Sequence, residues 1–291
     1  MKTKRSFSER IMHVIFLLCG LVSVGFVVAI SVYLILSGLP AILKVGAAEF
    51  FFGTVWDPTG SEGKYGILPM ILTSLYGTLA AAALGVPVGF FTALYLSKLA
   101  SKSVAAVIRS MVNLLAGIPS VVYGLVGMLV LVPALRRALA LPAGDCLLAA
   151  IIVLAVMILP SVISVSETAL SAVPREYEEG SLALGATEIE TYLRVSVPAA
   201  RSGLAAATVL GLGRAIGEAM AILMVAGNVA NMPALLRSVR FLTTGIAAEM
   251  NYASPGSLQR QALFSIGLTL FVFVILINIL LQLILKREKE G

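Results

Sequence analysis

The chain has 291 residues, of which 59% are hydrophobic and 12% charged, and its mean hydropathy is +1.01. Soluble domains carry about 25% charged residues, so water is excluded as the solvent for most of this sequence. The net charge of +6 does not point to nucleic acid, because Lys and Arg stand scattered at the ends of apolar runs without interleaved aromatics.

Taken in chain order, the first apolar run extends from roughly Ile11 to Leu43. It is far longer than the ~7–15 residue core of a cleavable signal and is expected to remain as an anchor. It holds the only histidine, His13, and Cys19; the other cysteine, Cys146, opens a later run. No disulfide, metal cluster or histidine relay is expected from this set. Further runs lie at roughly 66–97, 107–135, 147–165, 204–227 and 262–285, each near or above the ~20 residues that cross a bilayer as a helix. The expected fold is an all-α integral membrane protein with six transmembrane helices. Of the 21 Lys and Arg, 13 fall on the side of the N-terminus and 7 on the other, with Arg214 inside a span. The positive-inside rule then places both termini in the cytoplasm, although Arg136 and Arg137 stand on the outer side.

Pro69, Pro87, Pro119, Pro133 and Pro160 interrupt the spans. Kinked helices around a pathway and kinks from packing alone both account for them. Three polar loops are long enough to be structured: external at about 39–65, cytoplasmic at about 166–203 and external at about 228–261. The division expected is an N-terminal tail, first helix and external loop over 1–65, then a transmembrane domain over 66–291. Trp56 reads as an interfacial anchor, and the outer loop with Arg237, Arg240 and Glu249 offers a surface to an external protein.

In the cytoplasmic loop, Leu182, Ala186, Ile189 and Leu193 recur at the spacing of one helical face, with Glu178, Glu179, Glu188 and Glu190 largely off it. Gly185 permits a sharp turn and Pro198 bars continuation. Glu179-Gly180-Ser181, three residues, Gly185, nine residues, then Val195-Ser196-Val197-Pro198 resembles the EAA motif of ABC importer permeases. There Gly and Ser replace two alanines, and Val replaces Ile and Leu. The resemblance implies the type I importer permease fold and a coupling helix that docks on a separate cytoplasmic ATPase. It assigns that contact to Glu178, Glu179, Gly180, Ser181, Gly185, Val195 and Pro198. A nucleotide site of the chain's own is not expected: the only Gly-Lys pair, Gly63-Lys64, is followed by Tyr65 and has Pro58 where a phosphate loop needs glycine. ATP and Mg are implied on the partner ATPase, and no catalytic residue is expected.

In the fifth run, Arg214 lies about 15 Å into the span at 1.5 Å per residue, where a charge costs about 2.5–3.5 kcal/mol on insertion scales. Glu218, four residues on, falls on the same face of a continuous helix. Two readings fit: a buried ion pair that only fixes packing, or an arginine fork that meets an oxyanion in transit while Glu218 holds it. Asn113, Ser120 and Tyr123 of the third run either line the path or bond to neighbouring helices.

The segments FFFGTVWDPTG from Phe50, YGILPMILTSLYGTL, LLAGIPSVVYGLVGMLVLVP and GLGRAIGEAMA together resemble PstC-type permeases of phosphate importers, over roughly 50–285. That resemblance implies phosphate as cargo, with Arg214 and Glu218 on its path. It implies a PstA-like permease as heterodimer partner, two PstB-like ATPases, a PstS-like phosphate-binding protein and a bacterial cytoplasmic membrane. An importer of molybdate, sulfate or an organic solute is the nearest alternative, and a passive anion channel is the alternative of another class. An enzyme is disfavoured because Glu218 is the sole acid expected inside a span.

Overall fold

The computed structural model describes residues 7–290; Lys2, Lys4 and Arg5 of the basic N-terminal tail lie outside the described residues. The architecture is helical throughout, with one two-stranded hairpin. Helix α1 (Phe7–Val45) absorbs the whole first apolar run. A short α2 (Ala47–Phe52) and the hairpin β1 (Trp56–Asp57) and β2 (Lys64–Tyr65) follow, with Trp56 opposite Tyr65. Backbone bonds from Ile67 N to the Phe50 carbonyl and from Leu68 N to that of Gly53 tie α2 and the residue after it to the start of α3 (Leu68–Leu94). Pro69 sits in the first turn of α3, where its missing N–H costs nothing. A π turn over Tyr95–Leu99 ends that helix.

The third apolar run, expected as one helix over 107–135, is instead two. Helix α4 (Lys102–Gly117) ends at Ile118, which is extended at φ −73°, ψ 127°. Past Pro119 come α5 (Ser120–Val126), a π turn over Gly127–Leu131 and α6 (Val132–Ala138). The reason is local: proline forces its predecessor out of the helical region.

Helix α7 (Leu147–Ser171) is the central element, mostly buried along its apolar stretch. It is packed closely by α3 and α11 because glycines remove side-chain bulk where they cross it. A Cβ on Gly85 would meet Ile158, one on Gly89 would meet Val162, and one on Gly211 would also meet Val162. Beyond α7 the chain forms α8 (Arg175–Ala183) and α9 (Glu188–Thr191), a π turn over Tyr192–Ser196 and α10 (Val197–Ala199). Then come α11 (Arg201–Gly217), α12 (Met220–Val225), α13 (Leu242–Glu249) and α14 (Leu258–Glu290).

Five helices are long and apolar enough to cross a membrane, and six segments qualify if Glu188–Ala199 and Arg201–Gly217, bent by 72°, count as one span. The fifth run therefore differs from the continuous helix expected over 204–227. It starts after a bend and breaks again at Glu218.

The first span has a different environment from the others. Its window is 0% buried, and its close contacts come from its C-terminal third. Tyr33 packs edge-on against Phe264, and Gly38 abuts the backbone of Phe264 and Ser265.

Candidate functional site: paired helix breaks at an unpaired arginine

The breaks in the third and fifth runs are alike in backbone geometry. At the first, Gly117 closes α4 and Ile118 N bonds back to the Leu115 carbonyl at 3.2 Å. At the second, Gly217 closes α11, and Glu218 N bonds to the Ala215 carbonyl at 3.4 Å, with Glu218 at φ −73°, ψ 130°. Each is followed by a short helix, and these two, α5 and α12, lie against each other. The close approach requires Gly124, where a Cβ would stand 2.8 Å from Cα of Ala221 and 2.9 Å from Sδ of Met224.

A break inside a membrane strips backbone groups of their helical partners, and each must be satisfied by protein. Three side chains do this, two from the broken runs themselves and one from α13 (Leu242–Glu249). The Tyr123 hydroxyl donates to the Leu115 carbonyl at 2.7 Å. Glu218 Oε1 accepts from Ala221 N at 2.8 Å, capping α12. Thr243 Oγ1, at the start of α13, donates to the Glu218 carbonyl at 2.7 Å.

Arg214 sits one turn before the second break. Its Nη1 donates to Oγ of Ser161 at 3.1 Å, next to Pro160 in α7, and its charge lies within electrostatic reach of the Tyr123 phenol. The ion pair expected between Arg214 and Glu218 is not formed. Among the described residues the ion pairs are Lys98–Glu178, Arg109–Glu167 and Arg240–Glu249. The i, i+4 argument fails because the helix ends at Gly217, and the Glu218 carboxylate turns to the N-terminus of α12 instead. Only one of the five guanidinium donors has a protein partner among the described residues. The half-buried cation is therefore uncompensated and can take an anion.

Ser120 opens α5 and is half-buried, whereas Asn113 is exposed on α4, on the other side of the Pro119 break. Tyr123 and Arg214 are thus brought together, and Asn113 is not joined to them by any hydrogen bond among the described residues. Sequence reasoning missed Ser161 and Thr243. Ser161 carried a signal, since a hydroxyl beside Pro160 stands where the α7 ladder is interrupted; Thr243 carried none.

The segment after α7 is a helix–turn–helix, with the sharp turn at Gly185 that the sequence permits and without the one continuous apolar face expected from Leu182 to Leu193. Gly185, at φ +89°, makes the turn, and Thr187 and Glu190 form a capping box that starts α9. The turn takes Leu182 and Ile189 off a common face and leaves both exposed, with Leu184 at 91% exposure. Glu179, Gly180, Gly185 and Pro198 are exposed, Val195 and Ser181 half-buried, and Ser181 Oγ lies 2.9 Å from Oγ1 of Thr191. Glu178 instead points inward, to Lys98 and Ser196.

At the hairpin, Trp56 is half-buried and donates from Nε1 to both oxygens of Glu249 at 3.0 and 3.1 Å. Arg240 pairs with the same carboxylate, and Gln259 donates to it at 3.3 Å. This tryptophan joins β1 to the end of α13 through a carboxylate, a role beyond the interfacial anchor expected of it.

Residues 85–290 match the family described as the binding-protein-dependent transport system inner membrane component. The chain belongs to this family. The permease is 39% identical to the probable ABC transporter permease protein YqgH of Bacillus subtilis, over 93% of this chain and 89% of that protein. It is 34% identical to the phosphate transport system permease protein PstC of Haemophilus influenzae, over 90% of this chain and 88% of that one. Its fold matches a chain of the inward-facing methionine ABC transporter MetNI, with a TM-score of 0.57, 22% identity and coverage of 77% of this chain and 94% of that chain. It is a multi-pass membrane component of an ABC transport system.

Proposed function

We propose that this permease is the PstC-type subunit of an ATP-driven importer for inorganic phosphate and forms half of the translocation path. The observation that carries the reading is Arg214: a membrane-embedded cation with one protein partner among the described residues, beside two paired helix breaks. Relatives named as phosphate permeases supply the cargo class. A planar fork with free donors suits a tetrahedral oxyanion, and leaving it without an acidic partner keeps those donors available. Ser161 orients the fork, and Glu218 shapes the path by holding the start of α12.

In this reading the chain crosses the bacterial cytoplasmic membrane six times with both termini inside, as a type I importer permease. It divides into an N-terminal segment to about residue 65 and the permease domain over 66–291. It pairs with a PstA-like permease, receives phosphate from a PstS-like binding protein and takes its energy from two PstB-like ATPases that hold ATP and Mg. The turn at Leu184-Gly185, with its exposed apolar side chains, is the docking element for those ATPases. The chain itself binds no nucleotide and does no covalent chemistry.

The test is uptake of labelled phosphate by the assembled complex carrying Arg214→Ala or Arg214→Lys, with molybdate and sulfate as competitors. Hydrogen bonds to a charged group contribute about 1.5–3 kcal/mol, so Arg214→Ala is expected to lower uptake about 10- to 100-fold. Lysine, a point charge without the fork, should recover part of it. Unchanged uptake in Arg214→Ala would remove the oxyanion role, and equal displacement by sulfate would change the cargo.

A further inference from the structure

The carboxylate of Glu178 ties α8 both to the end of α3 and to the helical segment that leads into α11. Its Oε1 lies 2.5 Å from Nζ of Lys98 and accepts from Oγ of Ser196 at 2.7 Å. The side chains of Lys98 and Glu178 are 10% and 17% exposed, and Ser196 is fully buried. A charge pair this dry is poorly screened and holds a defined geometry.

Both partners stand in π turns. Lys98 lies in the turn over Tyr95–Leu99 that ends α3, and Ser196 closes the turn over Tyr192–Ser196 that precedes α11. Single π turns inside helices recur at functional positions, because the wider turn loosens the backbone ladder locally. What lies beyond each turn gives the contacts direction. Helix α11 carries Arg214, while α3 packs through Gly85 and Gly89 onto Ile158 and Val162 of α7, which flank Ser161, the partner of Arg214. One carboxylate thus ties α8 to the end of α3, which packs on α7, and to the Glu188–Ala199 helix, which meets α11 at a 72° bend. The neighbouring Glu179 is exposed and makes no such contact among the described residues.

We propose that Lys98, Glu178 and Ser196 form a buried polar latch that transmits displacement of the cytoplasmic helix pair into the second and fifth spans. This assigns Lys98 and Ser196 as positioning residues for transport. The inference rests on the importer reading above and deepens it. The latch converts a rigid-body shift of α8 into coupled shifts of α3 and α11; without it the helix pair still meets its ATPase while the path no longer follows.

The experiment is the number of ATP molecules hydrolysed per labelled phosphate imported, measured in proteoliposomes with the complete transporter. The variants are Lys98→Met, Glu178→Gln, Ser196→Ala and the swapped Lys98→Glu/Glu178→Lys, with the melting temperature of each complex recorded alongside. Coupling between distant sites is commonly worth fivefold or more, so each single charge variant is expected to raise the ratio by about fivefold or more. The swap should return it towards wild type, and Ser196→Ala should fall between. An unchanged ratio in the single charge variants overturns the latch. So does a raised ratio that the swap leaves raised, or one that tracks melting temperature across all the variants. Should a single charge variant fail to assemble, the swap and Ser196→Ala decide by the same criteria. Wild-type complex that imports nothing with ATP overturns the importer reading itself, which separates that failure from failure of the latch.

Discussion

Replacing Gly124 by alanine tests the paired breaks with the smallest possible change. A Cβ there would stand 2.8 Å from Cα of Ala221 and 3.0 Å from its carbonyl oxygen, whereas carbon atoms rest at about 3.5–4.0 Å. The obstructing atoms are helix backbone and cannot rotate aside, so α5 and α12 must part by roughly 0.7–1.2 Å. Overpacking of this kind costs about 1–3 kcal/mol, and it falls on the contact that aligns Tyr123 with the Leu115 carbonyl. Gly117→Ala, at the same break, supplies the control, because nothing lies within 4 Å of its Cβ position. Unfolding of the purified chain by denaturing detergent should place Gly124→Ala below wild type by that margin and leave Gly117→Ala close to it. Phosphate uptake by Gly124→Ala should fall with the separation. Wild-type stability and uptake in Gly124→Ala would show that α5 and α12 do not need this contact, and the paired-break site would fall with it.

At Glu218, glutamine retains an oxygen for Ala221 N, so Glu218→Gln should keep most stability and uptake. Glu218→Ala should lose about 1 kcal/mol in the same unfolding assay, the scale of a lost helix cap. Abolished uptake in an intact Glu218→Gln complex would mean the charge matters beyond capping. Gly185→Val has space around it but not the φ of +89°, which costs an L-residue about 1–2 kcal/mol. It should distort the docking turn and cut uptake with little loss of global stability; normal uptake would refute the coupling role. Leu184→Asp should weaken co-purification of the ATPase about tenfold or more, as expected of a central apolar contact, and leave the chain's own unfolding unchanged.

Much of this fold is legible in hydropathy, because lipid demands long apolar helices and says little else. The first, second, fourth and sixth runs become α1, α3, α7 and α14 with modest changes at the ends. The break at Ile118 could be read from Pro119, but that at Glu218 could not. Nothing in AIGEAMAIL forbids a helix; the chain leaves it because Thr243 and the capped N-terminus of α12 satisfy the freed groups. The same assumption of an unbroken helix produced the expected Arg214–Glu218 pair and the apolar face from Leu182 to Leu193. Of the adjacent glutamates Glu178 and Glu179, only the first turns inward, to Lys98, eighty residues away in the chain. Residue identity singled out Arg214, Tyr123 and Gly185, and tertiary partners decided the contacts that each makes.

The dependence of the second break on Thr243 bears on how the chain enters the membrane. Residues 201–225 emerge from the ribosome before residue 243, so the Glu218 carbonyl is left open until α13 follows. Helix α5, made about a hundred residues ahead of α12, likewise waits with a bare glycine face where Ala221 will lie. The third run satisfies its own break through Tyr123, whereas the fifth depends on a residue made later, so only the fifth break is left incomplete as it emerges.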